Sequence, residues 1–320
     1  ERAIVAKELA KVSGQLRKGH ILVSSRAERA LESSVSSLPQ PGEMMASYRI
    51  ASWGIRTIAA QFGLILVGVD SDMEGMMPDQ FDQACAEHHP RLLYCIPTIN
   101  NPTTATMSLQ RRRDILAAAQ RHHLHVVEDD PYSLLMDNPL PASAALDHSR
   151  VSYVATLAKT LSPGLRTAYV ALPNADMTRR VTAAIRAIAL TNAGLLSALT
   201  ARWMQTGQAH TVLSAIQREL RLRQVIARKV LGEGHCMNPC GPHVWLKLPD
   251  WWGSADFVAY ARRRGLALVP STVFTINGDP PQRARIALGS APDAASLEES
   301  LHGVLSVLQH KRSPGFADIV

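Results

Sequence analysis

Short runs of apolar and β-branched residues recur along the first half of the chain, and polar residues separate each run from the next. Runs of this length, bounded by turn-forming residues, predict buried β-strands. Strands that are apolar on both faces are typical of a parallel sheet covered by helices. The predicted strands are Ile21–Ser24, Leu64–Val69, Leu92–Ile96, Leu124–Val127, Val151–Leu157 and Ala168–Leu172.

Helical periodicity fills several of the intervals between these strands. In Ser108–His122 the apolar residues Ile115, Leu116 and Ala119 recur at helical spacing, which predicts an amphipathic helix. Ser108 is of a residue type that commonly caps a helix N-terminus, so we expect the helix to begin there. The alternation predicts an α/β fold with a mainly parallel sheet sandwiched by helices.

The pattern changes after Pro173. Two long helices are predicted there, at about Ala175–Leu190 and Leu195–Leu231. Short strands and helices then alternate, which is typical of a smaller α+β domain. Its predicted elements are the strands His243–Leu248, Leu266–Val269 and Ala284–Leu288 and a final amphipathic helix that starts near Asp293.

The predicted boundary between the two domains lies inside the second long helix, near Thr206–Gly207. Residues 1–206 then form a large domain and residues 207–320 a small C-terminal one. The large domain begins abruptly, because a helical pattern over Ala3–Leu16 leads directly into the first strand. We therefore expect the N-terminal part of this domain to precede Glu1.

No basic segment followed by an apolar stretch stands at the start of the sequence, so no secretory signal is predicted. The fairly apolar stretch Ala183–Ala201 is interrupted by Arg186 and Asn192, and it is too short to cross a bilayer. We expect a cytoplasmic protein without a membrane partner.

Hydrophobic residues make up 46% of the chain and aromatic residues only 5%, a balance that suits α/β layers better than an all-β sandwich. The four cysteines are too few for a disulfide framework. Four zinc-type ligands fall close together at His235, Cys236, Cys240 and His243, but their spacing is tighter than that of zinc fingers. We predict an ordinary loop there and no metal.

The formal net charge is +7 and the sequence pI is about 9.5. Such a balance is compatible with nucleic acid, with an anionic ligand or with a solvated surface. The arginines cluster in helix-like stretches, which favours solvated helix faces. These arginines are Arg111–Arg113, Arg262–Arg264, Arg218, Arg221 and Arg223.

Polar side chains follow three of the predicted strands. Asn101 comes after the third strand, and Asp129 and Tyr132 come after the fourth. Lys159 and Arg166 follow the fifth. Ligands of open α/β sheets bind beyond the carboxyl ends of the strands, so we expect these side chains to converge at one edge of the sheet.

These residue types suit one cofactor. A lysine amine can form a Schiff base with an aldehyde, and pyridoxal 5′-phosphate (PLP) needs a carboxylate partner for its protonated pyridine nitrogen. Asparagine and tyrosine can hydrogen-bond the ring hydroxyl, and an arginine fork suits the phosphate. Each feature alone is weak, but together and in this order they favour PLP chemistry.

The same segments resemble the fold-type I PLP-dependent aminotransferases, and most closely the aminotransferase-like domain of MocR-type (GntR-family) bacterial transcription regulators. The likeness extends over about Ile21 to Leu308, and the form Asn-Pro-Thr-Thr-Ala-Thr-Met resembles the regulators more than the biosynthetic enzymes. The matching stretches are Tyr94–Thr98, Asn101–Met107, Glu128–Tyr132, Lys159–Arg166, His243–Pro249 and Arg285–Gly289.

The resemblance implies the fold-type I transferase fold and a role for each matched residue around the ring of PLP. Lys159 would hold the cofactor covalently and act as the catalytic residue. Asp129 would pair with the pyridine nitrogen. Asn101 and Tyr132 would bind the ring oxygen.

The resemblance also implies contacts beyond the ring. Thr156 and Arg166 would hold the phosphate, and Arg285 would bind the carboxylate of an amino-acid ligand. Without the resemblance, the favoured interpretation of Arg285 is a surface arginine on an edge strand. Fold-type I sites are built at a homodimer interface, so the same assembly is implied here.

Three positions depart from the family's pattern. A small-residue turn, usually containing glycine, lies near the phosphate in the family, where this chain has Ser25–Glu28. Glu28 brings negative charge toward the phosphate, which Arg26 or a helix N-terminus must offset. Ser52 stands where an aromatic residue stacks on the ring, and Ala158 replaces a serine before the lysine.

Two functions fit these residues. One is the effector-binding and dimerisation domain of a MocR-type regulator, which binds PLP and an amino compound and signals to a DNA-binding domain that is not in this chain. The other is an active amino-acid aminotransferase, in which Lys159 moves a proton between the substrate Cα and the cofactor. The motif form and the basic pI favour the regulator. A degenerate relative without PLP is a third interpretation, based on the three departures.

Overall fold

The computed structural model describes residues 20–189 and 194–311, together with Ile4 and Gly14. Apart from those two residues, the predicted helix over Ala3–Leu16 lies outside the described ranges. The chain divides into two compact units, whose limits are Glu1–Asn101 with Ala105–Arg218 for the first, and Pro102–Thr104 with Glu219–Val320 for the second.

A seven-stranded sheet is the centre of the first unit. The strands in the described part of this unit are β1 (Ile21–Ser24), β2 (Met44–Tyr48), β3 (Ile65–Val69), β4 (Ser71–Asp72), β5 (Gly75–Met76), β6 (Leu92–Cys95), β7 (His125–Asp130), β8 (Val151–Thr156) and β9 (Ala168–Ala171). The sheet has the order β1-β9-β8-β7-β6-β2-β3, and β4 pairs with β5 in a separate hairpin. All six predicted strands are confirmed, with ends that shift by a few residues.

Six of the seven strands run in one direction. Strands β3, β2, β6, β7 and β8 pair in parallel, whereas β9 pairs antiparallel with both β8 and β1. The predicted mainly parallel sheet is therefore confirmed. The sequence pattern does not predict β2, because its sequence Met-Met-Ala-Ser-Tyr has no β-branched residue and owes its conformation to pairing with β3 and β6.

Helices cover this sheet. In the described residues they are α1 (Ala27–Ser36), α2 (Trp53–Gln61), α3 (Pro78–His88), α4 (Leu109–Arg121), α5 (Ser143–Leu146), α6 (Ala175–Ala189) and α7 (Gly194–Gln205), followed by α8 (Gln208–Leu231). Helix α4 begins where predicted, because the Ser108 hydroxyl accepts a hydrogen bond of 3.2 Å from the Arg111 amide. Helix α1 packs against β7, β8, β9 and α6.

The prediction of a single helix over Leu195–Leu231 is wrong, because the helix is interrupted between α7 and α8. Gly207 lies at the break with a φ of +80°, a left-handed conformation that is open to glycine at little cost. The two compact units divide further on, between Arg218 and Glu219 inside α8.

The second unit is built on a four-stranded antiparallel sheet. Its described elements are β10 (Cys236–Met237), β11 (His243–Lys247), α9 (Ser254–Arg262), β12 (Val269–Pro270), β13 (Arg283–Ala287) and α10 (Ala294–Gln309). The strand order is β10-β11-β13-β12. Trp252, Phe257 and Leu301 lie in its core, and the Asp293 carboxylate caps α10 through the Ser296 amide at 2.8 Å.

Two of the arginines predicted to lie on solvated helix faces are buried. Arg112 is 1% exposed and donates to the Pro141 carbonyl at 2.9 Å and to the Thr98 hydroxyl at 2.8 Å. Arg223 donates to the carbonyls of Leu288 and Ala291. Helical periodicity does not reveal such residues, because a long arginine side chain can reach backbone carbonyls outside its own helix. Within the described ranges, no helix has the length and apolar character needed to cross a bilayer.

Candidate functional site

The sheet topology brings the predicted site residues of the first unit to one edge. Strands β6, β7 and β8 are parallel, so Asn101, Tyr132 and Lys159 all follow strand ends on the same side. Strand β9 runs the other way, and its first residue Ala168 pairs with Thr156, the last residue of β8. Arg166, just before β9, therefore lies at the same edge. The N-terminus of α1 joins them, because β1 ends where β9 begins.

Asp129 and Tyr94 meet on one face of the sheet. Tyr94 pairs with Val127, two residues before Asp129, so both side chains point to the same side of adjacent strands. The Tyr94 hydroxyl donates to Asp129 Oδ2 at 2.7 Å, and the Ser52 hydroxyl lies 3.4 Å from the Tyr94 oxygen. Tyr94 is 1% and Asp129 8% exposed. The carboxylate is thus nearly buried and held by a neutral donor.

The pKa of Asp129 is raised to about 7, mainly by burial and to a smaller extent by the charges of Asp130 and Glu28, whereas the hydrogen bond from Tyr94 lowers it. No cation that the structure describes forms an ion pair with this carboxylate. A cationic group placed beside it would lower its pKa and remove the cost of ionising it in a buried position. The protonated pyridine nitrogen of PLP is such a group, so Asp129 fits the role that the sequence predicts for it.

Glu128 and Asp130 point to the opposite face, where their oxygens have protein partners. Asp130 accepts from the Tyr153 hydroxyl at 2.6 Å and from the Ser133 amide at 2.8 Å. Glu128 accepts from the Ala144 amide at 3.1 Å, and its other oxygen is 3.9 Å from the Arg112 guanidinium. These two acidic residues hold the loops after β7 and before β8 in place.

Lys159 lies on the turn that follows β8. The turn is fixed by Thr156, whose hydroxyl accepts from the Ala158 amide at 3.2 Å and approaches the Thr167 carbonyl at 3.5 Å. Lys159 itself is exposed, and its amine makes no ion pair with any residue in the described ranges. Next to it, the buried Thr160 hydroxyl has no hydrogen-bond partner in the described protein. The amine is therefore accessible at the edge where Asp129 lies.

The other predicted residues of the first unit differ in exposure. Arg166 is exposed and adopts a left-handed φ of +43° at the end of a short 3-10 turn, Pro163–Leu165. Tyr132 is buried and Asn101 is half-buried. A left-handed backbone at a residue other than glycine stores some strain and is common at functional sites.

The N-terminus of α1 lies where the resemblance leads us to expect a small-residue turn. Arg26 precedes the helix without a side-chain hydrogen bond that caps it, and Glu28 lies exposed in its first turn. Glu28 is close enough to Asp129 to raise the pKa of that carboxyl. The negative charge of Glu28, noted in the sequence, therefore acts on the Asp129 carboxylate.

Arg285 belongs to the second unit and lies on β13, which is an internal strand between β11 and β12. The edge-strand interpretation of Arg285 is therefore wrong. Its guanidinium carbon is 5.3 Å from the centre of the Phe274 ring, and Phe274 in turn meets Trp245 edge-on. The arginine is half-buried and oriented by this aromatic contact.

No group of three or more His, Cys, Asp or Glu side chains in the described ranges is arranged to hold a metal ion. Of the four zinc-type ligands noted in the sequence, His235 accepts a hydrogen bond from the Lys247 amide at 3.1 Å, and the Cys236 sulfur lies 3.3 Å from an Arg283 nitrogen. Both side chains therefore help to hold the small sheet.

Sequence reasoning missed the role of Tyr94. A signal was present, because Tyr94 is a polar aromatic residue inside the otherwise apolar strand Leu-Leu-Tyr-Cys. Its partner could not be read from the sequence, since the register between β6 and β7 decides which residues share a face.

Comparison with known proteins agrees with this geometry. Residues 59–304 match the family of aminotransferases of class I and II, so the chain belongs to that family. It is 31% identical over 284 residues to YdeF, an uncharacterized HTH-type transcriptional regulator of Bacillus subtilis, and covers 61% of that protein with 88% of its own length. It is 27% identical over 269 residues to the HTH-type transcriptional regulator TauR of Rhodobacter capsulatus, 79% of this chain and 53% of TauR.

The chain thus spans between half and two thirds of these two regulators. A solved structure with the same fold is the kynurenine aminotransferase of Pyrococcus horikoshii in complex with PMP, with a TM-score of 0.88, 23% identity and coverage of 96% of this chain and 79% of that one. The predicted α/β fold of PLP-dependent transferases is confirmed. The family match and the regulator relatives support PLP as the cofactor and the MocR-type resemblance.

Proposed function

We propose that this chain is the PLP-binding, effector-sensing and dimerisation domain of a MocR-type transcription regulator. In this proposal residues 1–206 form the PLP-binding domain and residues 207–320 the small domain. The regulator relatives support the choice of class, and the half to two thirds of their length that the chain spans leaves room for a DNA-binding domain elsewhere. The observation that carries the proposal is Asp129, a nearly buried carboxylate without a cationic partner in the described residues.

The residues at the edge of the sheet divide the work of holding PLP. Lys159 supplies the amine for covalent attachment, and Asp129 holds a proton at the pyridine nitrogen. Asn101 and Tyr132 bind the ring oxygen. When bound, PLP supplies a ring that can take up electrons from a substrate.

The phosphate and the amino compound have separate partners in this proposal. Thr156 and Arg166 hold the phosphate, with the arginine fork suited to its oxygens. Arg285 binds the carboxylate of an amino-acid effector, and the contact with Phe274 limits the directions in which its guanidinium can point. An amino compound is therefore the small-molecule partner that we expect.

Assembly and location follow from the same role. We propose a homodimer, since fold-type I sites are completed by both subunits. DNA is contacted through a domain that is not in this chain. A regulator of bacterial transcription acts in the cytoplasm, where we place this protein.

The experiment that tests this proposal is cofactor loading followed by borohydride reduction. Purified protein mixed with PLP should gain a visible absorption band, and reduction should fix one pyridoxyl group on the peptide that contains Lys159. Lys159→Ala should lose this attachment and keep its fold. Lys247→Ala is the matched control, because Lys247 is an exposed lysine on β11, and it should still be labelled. Labelling that persists in Lys159→Ala would refute the assignment.

An active aminotransferase is the second candidate, because the lysine, aspartate, asparagine, tyrosine and arginine of the family's site are all present. The two candidates separate in a single turnover. An enzyme would release the 2-oxo acid of an added amino acid and convert PLP to its amine form, whereas a sensor would change its spectrum without releasing that acid. A panel of amino acids measured by absorption and by 2-oxo acid assay distinguishes them.

A further inference from the structure

Ser52 does not do what its position favours. It immediately precedes α2, at the N-cap, where serine usually accepts a hydrogen bond from a backbone amide of the first turn. Here no such capping bond is made. The Ser52 hydroxyl instead lies 3.4 Å from the hydroxyl of Tyr94, on a strand 42 residues away in sequence. A hydroxyl that leaves a helix cap for a buried partner indicates a role outside the helix.

Tyr94 connects Ser52 to the site. Its hydroxyl has one proton, and the bond of 2.7 Å to Asp129 Oδ2 uses it. Ser52 must then be the donor to the Tyr94 oxygen whenever Asp129 is ionised. Burial raises the pKa of Tyr94 well above its usual value, so the phenol keeps its proton and remains a donor. The three groups form a directed hydrogen-bond chain from Ser52 through Tyr94 to Asp129.

We propose that Ser52 and Tyr94 are positioning residues, which fix the Asp129 carboxylate in the orientation that meets the pyridine nitrogen of PLP. This inference rests on the proposed function. It gives a reason for the serine at position 52, where the family's pattern has an aromatic residue that stacks on the ring. In this chain Ser52 would act on the partner of the pyridine through Tyr94, in place of a direct contact with the ring.

The chain of hydrogen bonds is specific to one face of the sheet. On the other face, Tyr153 donates to Asp130 at 2.6 Å, and Tyr153 is as deeply buried as Tyr94. The two tyrosine–aspartate pairs have the same chemistry and differ in the direction they face. Tyr153 is therefore a matched control for Tyr94.

The test measures PLP affinity by equilibrium dialysis in Tyr94→Phe and Tyr153→Phe, with unfolding by urea as a check on the fold. Loss of a hydrogen bond to a charged group should weaken PLP binding about tenfold to a hundredfold in Tyr94→Phe. Tyr153→Phe should bind PLP within about twofold of the unmodified chain, even though both variants lose a buried bond of similar strength. Equal losses in the two variants would overturn the inference, because they would reveal a general effect of weaker packing.

Substitutions at Ser52 test the first link of the chain. Ser52→Ala should weaken PLP binding by about twofold to fivefold, since the bond it removes is long. Ser52→Thr keeps a hydroxyl and should restore the affinity. Failure of threonine to restore it, or no loss with alanine, would remove Ser52 from the proposal.

Nitrogen NMR of PLP labelled at the ring nitrogen supplies a signature that packing alone does not produce. Tyr94→Phe should shift this resonance toward that of an unprotonated pyridine, and Tyr153→Phe should leave it unchanged. If the unmodified chain binds no PLP, the proposed function itself fails. If it binds PLP and both phenylalanine variants bind it equally well, only the positioning role fails.

Discussion

The carboxylates on the two faces of β7 differ in their partners. On one face Glu128 and Asp130 are held by Arg112, Tyr153 and backbone amides. On the other, Asp129 has the phenol of Tyr94 and the repulsive charges of Asp130 and Glu28. Both oxygens of Asp130 accept hydrogen bonds from the protein, whereas the hydrogen bond to Asp129 in the described residues comes from Tyr94 to one oxygen. A cationic ligand beside Asp129 would therefore lower the cost of its buried charge. Of these three consecutive acidic residues, Glu128 and Asp130 are held by the fold, and Asp129 is the one that we propose binds a ligand.

The largest effect on stability should come from replacing Arg112, which contacts the face of β7 that carries Glu128 and Asp130. Arg112→Met leaves Glu128 buried without its cation and leaves the Thr98 hydroxyl and the Pro141 carbonyl without their donor. We expect the free energy of unfolding to fall by about 3–5 kcal/mol. Arg113→Met is the control, because Arg113 is exposed on the same helix, and it should change stability by less than about 0.5 kcal/mol. Equal effects in urea unfolding would show that Arg112 does not hold this face.

The titration of Asp129, on the face of β7 that we propose binds PLP, should be detectable in the pH dependence of the free energy of unfolding without PLP. The pKa of Asp129 is raised to about 7 in the folded chain, so the folded form holds this proton more tightly than the unfolded form does. The stabilisation is therefore complete below about pH 4 and is lost as the pH rises through about 7.

Asp129→Asn removes this titration and keeps an oxygen that can accept from Tyr94. Relative to the unmodified chain, the variant should gain about 2–4 kcal/mol between about pH 4 and pH 8. Glu128, whose pKa burial also raises, is present in both proteins, so the difference isolates Asp129. A difference curve that is flat over this range would contradict the unpaired state of the carboxylate.

The smallest effect should come from removing the cap of the helix that carries Arg112. Ser108 caps α4, which carries Arg112. Ser108→Ala should lower the free energy of unfolding by about 1 kcal/mol. Ser300→Ala serves for comparison, since Ser300 is an exposed position in the middle of α10, and alanine is favourable there. A larger loss at Ser300 than at Ser108, in thermal unfolding, would argue against the cap.

Much of the fold and part of the site could be predicted from sequence. The six predicted strands carry a strong apolar signal, and the parallel pairing of β7 and β8 places Asp129 and Lys159 at one edge. Arg166 lies at the same edge because β9 runs antiparallel to β8. Strand β2 and the break at Gly207 could not be predicted, because one depends on pairing with distant strands and the other lies within a continuous helical pattern.

The hydrogen-bond and ion-pair partners of the acidic residues could not be predicted from the sequence for a different reason. Side chains alternate along a strand, so one residue of register decides whether Tyr94 reaches Asp129 or its neighbours. Arg112 shows the same limit, because helical spacing does not reveal that its guanidinium reaches the Pro141 carbonyl and Glu128. The sequence indicates which groups are available, and the register decides which of them meet.

The most direct test of the account is the affinity for PLP of Asp129→Asn beside that of Asp130→Asn. Both variants replace a buried carboxylate by an amide, and the side chain introduced by Asp130→Asn keeps an oxygen that can accept from the Ser133 amide. Equilibrium dialysis should find PLP binding weakened about tenfold to a hundredfold in Asp129→Asn, and within about twofold of the unmodified chain in Asp130→Asn. The reverse order, or equal losses, would contradict the claim that Asp129 alone of the two faces the cofactor.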